Sequence, residues 1–148
     1  MQRFAKSQGC KVKVSQKEGI FHIAISKAKP MQVESKRNDI VILITGDKFG
    51  TGDEKPCRVL MKSFLSTLCD SEAKPVKIIL MNSAVKLATE GSDVLEALQL
   101  LEEQGVEIFS CGACLEYYKV KDALRAGKIN DMYDTIQSLM SAGKVIKI

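Results

Sequence analysis

Two cysteines three residues apart, in the stretch Cys111-Gly112-Ala113-Cys114, are the side chains best placed to do chemistry. Cys111 directly follows the apolar stretch Val106 to Ser110 and precedes a helical stretch beginning near Cys114. A thiol at such a junction meets unpaired backbone N–H groups and the positive end of a helix dipole, both of which favour a negative charge. The thiolate is the nucleophilic form of cysteine, so this placement points to nucleophilic or sulfur-carrying chemistry centred on Cys111. Gly112 and Ala113 keep the corner small and leave room for a partner to approach. The competing reading is two small residues packed at a strand-to-helix corner, because cysteine is among the most buried residue types.

A third reading is a redox pair, since CxxC after a strand is a thiol–disulfide signature. The order of elements argues against it. The pair follows three of the four predicted strands, and no proline occurs after Pro75 to make the cis-proline turn of that pattern. The loop Thr45-Gly46-Asp47-Lys48-Phe49-Gly50-Thr51-Gly52-Asp53 is glycine-rich and leads into a helix, with Asp53 expected as N-cap and Pro56 tolerated in the first turn. It matches neither GxGxxG nor a phosphate loop ending in Gly-Lys-Ser/Thr, so a tight turn lining a crevice is its expected role. Cys57, Cys69 and Cys10 are read as structural. His22 alternates within a strand far from the thiols in sequence and is not read as a general base. One CxxC pair with a lone histidine falls short of the four ligands that structural zinc takes, so no metal and no cofactor are expected.

The elements that position these residues follow from hydrophobic period. Asp39 to Thr45 is a continuous β-branched run of the kind buried on both faces of a sheet, and Val76–Met81, Val106–Phe109 and Lys144–Ile148 are similar. Between them lie helical patterns at 55–69 (Leu60, Met61, Phe64, Leu65, Leu68), at 92–104 closed by Gly105, and at 131–142 (Met132, Tyr133, Ile136, Leu139, Met140) closed by Gly143. Strand–helix alternation with short connections predicts an α/β domain over 39–148, a mainly parallel sheet flanked by helices. Ligand crevices of such sheets lie beyond the carboxyl ends of the strands. The segments Gly46–Asp53, Asn82–Gly91 and Cys111–Cys114 occupy that rim, which makes Gly46, Gly50, Gly52, Asn82, Ser83 and Gly112 the expected crevice lining. Residues 1–28 read differently: a helical end at Gln2–Gln8, then two alternating strands about a Glu18-Gly19 turn, a hairpin too small to bury a core of its own. Residues 29–38 read as a polar linker.

The 148 residues carry a net charge of +4, but residues 1–39 hold nine Lys/Arg against three Asp/Glu while the rest hold thirteen against fifteen. A basic segment without aromatic platforms or a recognition motif is a solvated face, so no nucleic-acid partner is expected. No stretch reaches the roughly 18–20 apolar residues of a membrane span, and the first residues lack a signal peptide's apolar core, so the chain reads as cytoplasmic. Five cysteines is an odd count, consistent with free thiols in a reducing compartment.

Residues 39–148 resemble the DsrE/DsrF family of sulfur-relay proteins and, within it, the C-terminal domain of YedF proteins. The matching stretches are Gly50-Thr51-Gly52-Asp53-Glu54, Arg58 to Phe64, Asn82 to Leu87, Glu90-Gly91-Ser92 and Ser110 to Leu115. The resemblance implies flavodoxin-like layering, a persulfide carried on Cys111, sulfur-relay protein partners, and closed homo-oligomers with the cysteine near subunit contacts. The family's usual glycine eight residues after this cysteine is replaced by Lys119, followed by the aliphatic Val120, and Lys55-Pro56-Cys57 departs from the usual acidic-Leu-Gly helix entry. Residues 1–28 resemble the second half of a TusA/SirA-like domain, without the Cys-Pro-x-Pro motif of its front half. YedF proteins are linked by name with selenium metabolism, and nothing in these residues separates selenium from sulfur. The expected function is therefore sulfurtransferase-like, with Cys111 as persulfide nucleophile and Cys114 as resolving thiol. The alternatives are a non-catalytic binding module or oligomeric scaffold using the same crevice, or a thiol–disulfide oxidoreductase.

Overall fold

The computed structural model describes residues 10–17, 20–27 and 39–148. The chain divides into two units, Met1–Glu34 and Ser35–Ile148. In the first, β1 (Cys10–Lys17) and β2 (Ile20–Lys27) pair antiparallel, with Cys10 opposite Lys27 and Lys17 opposite Ile20, as the alternation predicts. The helical end at 2–8, the turn at 18–19 and the linker at 29–38 lie outside the described residues.

In the second unit, β3 (Ile40–Ile44), β4 (Lys77–Leu80), β5 (Glu107–Cys111), β6 (Lys128–Asn130) and β7 (Lys144–Lys147) form one sheet in the order β6-β5-β4-β3-β7. Every neighbouring pair in it is parallel. The register places Ile42, Ile78 and Ile108 side by side, so these residues share one face. The alternate positions, Val41, Lys77 and Ile79 among them, face the other way.

The crossovers β3 to β4, β4 to β5 and β5 to β6 step in one direction across the sheet, and β6 to β7 returns to the far edge beside β3. With right-handed crossovers throughout, the first three connections lie on one face and the last on the opposite face. The contacts agree. Met61 and Leu65 of α1 (Glu54–Asp70) and Leu98 and Leu101 of α2 (Leu95–Glu103) share a core with Ile42, Ile44, Ile78, Leu80 and Ile108. On the other face, Lys77 Nζ donates to Ser138 Oγ at 3.0 Å from α4 (Met132–Ser141). No helix among the described residues is long and apolar enough to cross a membrane.

Several local expectations change. Asp53 stands at the N-cap of α1 but makes no side-chain cap, whereas Asp131 caps α4 by accepting the Asp134 N–H at 2.9 Å. Leu60 is exposed, because the core-facing stripe of α1 is Cys57, Met61, Leu65 and Cys69. The apolar stripe of α4 is likewise open, with Met132, Tyr133, Ile136 and Met140 exposed and only Thr135 buried. A fifth strand, β6, joins the four that periodicity predicts.

Candidate functional site

The carboxyl rim gathers three segments. Cys111 ends β5, and α3 (Gly112–Tyr117) begins at once, two residues earlier than expected, with Cys111 at its N-cap. Because α3 has only six residues, its dipole is a small influence on the thiol. Cys111 is 7% exposed, and Cys114, one helical turn on, is only partly buried. The two thiols are near enough to influence each other. Burial pushes the Cys114 thiol above the ordinary thiol range and the neighbouring Cys111 thiol adds to the rise, while the Asn82 N–H pulls the other way.

That N–H donates to Cys114 Sγ at 3.2 Å. Asn82 opens a 3-10 helix, Asn82–Ala88, with φ at 52°, a left-handed conformation that asparagine tolerates better than most residues. Its side chain is held as well: the Tyr118 hydroxyl donates to Asn82 Oδ1 at 2.9 Å. Lys86 Nζ in turn sits 4.3 Å from the centre of the Tyr118 ring, a cation–π contact. Ser83 ties the same segment to the glycine-rich loop. Its hydroxyl donates to Asp47 Oδ1 at 3.1 Å and accepts the Asp47 N–H at 3.1 Å.

A chain of contacts thus runs from Asp47 through Ser83 and Asn82 to Cys114 and Cys111. Of the residues predicted for the site, it unites Cys111, Cys114, Asn82 and Ser83. The glycines do local work beside it. Gly50 adopts φ +84°, and a Cβ on Gly112 would stand 3.0 Å from Ile129 Cγ2, so a larger residue would crowd β6. Gly46 begins the loop, and Gly52 lies against Cys57, whose Sγ an added Cβ would meet at 3.5 Å. Two buried polar atoms close to Cys111, Ser110 Oγ and Asn130 Oδ1, have no hydrogen-bond partner. Asn130 is the residue paired with Cys111 across the β5–β6 ladder. Cys57 and Cys69 are buried, and the Cys69 thiol donates to Leu65 O at 3.3 Å, as structural thiols do.

Next to this chain lies a cleft of about 470 Å³ with Met61, Leu87, Val94 and Val120 as its apolar lining and Asp47, Arg58, Lys86, Glu90 and Asp93 as charged lining. Gly46, Gly50, Gly52, Asn82, Ser83 and Gly112 are not part of that lining. Its charges largely pair with neighbours. Arg58 reaches Glu54 at 3.0 Å and Asp47 at 3.9 Å, and Glu90 meets Arg125 at 2.6 Å. The Arg58 hydrogen bond holds the Glu54 carboxyl below its ordinary range.

Lys86, Tyr118 and Arg58 are site residues that sequence reasoning missed. Tyr118 had a usable signal, since it follows Cys114 at i+4 and so shares its helix face.

The fold recurs in solved structures. The crystal structure of the ychN protein from E. coli aligns with a TM-score of 0.60 at 20% identity, covering 75% of this chain and 99% of that one. Protein MTH1491 from Methanobacterium thermoautotrophicum aligns at 0.54 and 18% identity, covering 74% and 98%. Protein BT1422 from Bacteroides thetaiotaomicron aligns at 0.54 and 19%, covering 78% and 98%. Both of the latter are described as of unknown function, and at these identities the likeness shows the fold alone. No curated protein matches the chain. Residues 38–148 match the DsrE/DsrF-like family.

Proposed function

Since this chain belongs to the DsrE/DsrF-like family, we propose that it is a sulfurtransferase-like carrier that holds sulfur as a persulfide on Cys111 and passes it to a relay partner. The observation that carries the reading is the thiol pair itself. Cys111 ends a core strand at the carboxyl rim, one helical turn before a second thiol whose sulfur takes a backbone N–H. A persulfide needs a site that limits access by water and stray thiols, and the burial of Cys111 supports that role. The persulfide is the covalent carrier here, so no cofactor or metal takes part. Selenium is an alternative cargo for the same thiol, since both elements form the corresponding bond to a cysteine sulfur.

The hairpin Cys10–Lys27 supports reading residues 1–28 as part of a TusA/SirA-like segment of a YedF-like protein. The open side chains of Met132, Ile136 and Met140 on α4 and of Val145 on β7 support self-association through that face. Light scattering coupled to size exclusion is expected to give a multiple of the chain mass, and M140E is expected to shift it towards the monomer. A monomer mass for the unaltered protein contradicts self-association.

The contact between the thiols also favours a second reading, thiol–disulfide exchange. Transfer of labelled sulfur separates the two. Protein loaded with labelled sulfur and freed of donor is mixed with an acceptor thiol; the carrier passes the label on, and C111S neither holds nor passes it. Label transfer unaffected by C111S refutes the proposal.

A further inference from the structure

The two rim thiols are not equally open. Cys111 is 7% exposed, whereas Cys114 is only partly buried and its sulfur already accepts the Asn82 N–H at 3.2 Å. That donor is fixed in place. Asn82 holds a left-handed φ of 52°, and Tyr118 anchors its side chain at 2.9 Å. Of the two residues, Cys114 is therefore the more open to a small molecule arriving from solvent. Charge developing on that sulfur finds a donor already aimed at it, which needs no reorganisation during reaction. We propose that Cys114 is the entry thiol, taking sulfur from a small water-soluble persulfide and handing it to Cys111. This rests on the reading of Cys111 as the carrier.

Both steps balance as sulfur transfers without net oxidation. Cys114 loses its proton to solvent and its thiolate attacks the terminal sulfur of the donor persulfide. A bond forms from Cys114 Sγ to that sulfur, the donor's S–S bond breaks, and the electron pair leaves with the donor as a thiolate, which takes up a proton. Cys111 then attacks the same terminal sulfur. The Cys111 Sγ–S bond forms, the Cys114 Sγ–S bond breaks, and the pair remains on Cys114 Sγ beside the Asn82 N–H. Cys111 gives up its proton to solvent as it attacks, and Cys114 takes one up from solvent as it is released.

Single-turnover loading of the full chain with glutathione persulfide tests the order. Samples are quenched with an alkylating reagent, and fragment-ion mass spectrometry places the added sulfur. The expected course is sulfur on Cys114 first and on Cys111 later. C111S should take sulfur on Cys114 only while donor is present and lose it once the donor is removed, and C114S should load Cys111 about tenfold more slowly to the same final extent, because only the less accessible thiol is left to attack. Slow loading is not a sign of misfolding, since an unfolded chain would expose Cys111 and load faster. Wild-type loading rates at Cys111 in C114S, or sulfur on Cys111 before Cys114, overturn the proposal. So does a Cys111–Cys114 disulfide with released hydrosulfide as the main product. Sulfur on neither cysteine removes the carrier reading itself, and the entry role falls with it.

Discussion

Lys119 adopts φ 57°, in the left-handed region, at the turn that ends α3. The turn is a Schellman motif. The Val120 N–H donates to Leu115 O at 3.0 Å and the Lys119 N–H to Glu116 O at 3.1 Å. Glycine is the usual residue at this position of the motif, because an L side chain there crowds its own backbone at a cost of about 1–2 kcal/mol. Replacing Lys119 with glycine removes that strain. It also returns part of the gain, because glycine has more freedom to lose from the unfolded chain. Lys119 is exposed, so little packing is lost. The net expectation is a stabilisation of about 1 kcal/mol, which for a domain near 110 residues raises Tm by roughly 4 °C. Urea and thermal unfolding of Lys119→Gly against the unaltered protein measure this. An unchanged or lowered midpoint refutes the reasoning, and would mean that the lysine side chain makes up for its backbone strain. Sulfur loading should be the same in both proteins, since the substitution leaves the thiols and Asn82 in place.

Gly127→Ala is expected to destabilise by about 3 kcal/mol, since overpacking and a left-handed alanine each cost on the order of 1–2 kcal/mol. Gly127 has φ +79°, and an added Cβ would stand 2.6 Å from Ile108 O; a urea midpoint equal to wild type contradicts the account. Stability should fall in mild alkali. Burial raises the thiols of both Cys69 and Cys114, so the folded chain holds these protons more tightly than the unfolded chain does. Their contribution is complete below the ordinary thiol value, about pH 8.5, and is lost as pH rises through the raised values. Urea midpoints measured from pH 7 upward should decline for the wild type and less for a C69A/C114S double variant, and equal slopes reject the assignment.

The strands β3, β4 and β5 could be read from the sequence because strands inside a helix-flanked sheet leave apolar runs, such as Ile40 to Ile44, while β7, a mostly exposed edge strand, was marked by its β-branched pair Val145-Ile146. The helices α1 and α2 showed the period of a one-sided core. Other elements were too short to show any period. β6 has three residues, of which Ile129 alone is apolar, and α3 has six. For α4 the pattern was visible but its meaning was not. A stripe of Met132, Ile136 and Met140 says that one helix face is apolar, not which surface covers it, and among the described residues these side chains are exposed.

The same distinction holds at the site. The spacing of Cys111 and Cys114, and the rim position of Asn82 and Ser83, followed from residue types and strand ends. What joins them did not. The donor on Cys114 is a main-chain N–H, which leaves no mark in residue type, and the Lys86–Tyr118 contact spans 32 positions in sequence. The departure from the family at Lys119 has a physical counterpart in its φ of 57°, a turn geometry that sequence alone leaves open.

Site-resolved mass spectrometry of the sulfur-loaded protein bears most directly on the central claim. The full chain is equilibrated with excess persulfide donor, freed of it, alkylated, and compared at all five cysteines with unloaded protein. The account predicts that the retained sulfur resides on Cys111, with Cys57 and Cys69 unmodified, and that C111S loses this stable pool. Retained sulfur spread evenly over the cysteines, or a pool that persists undiminished in C111S, contradicts it.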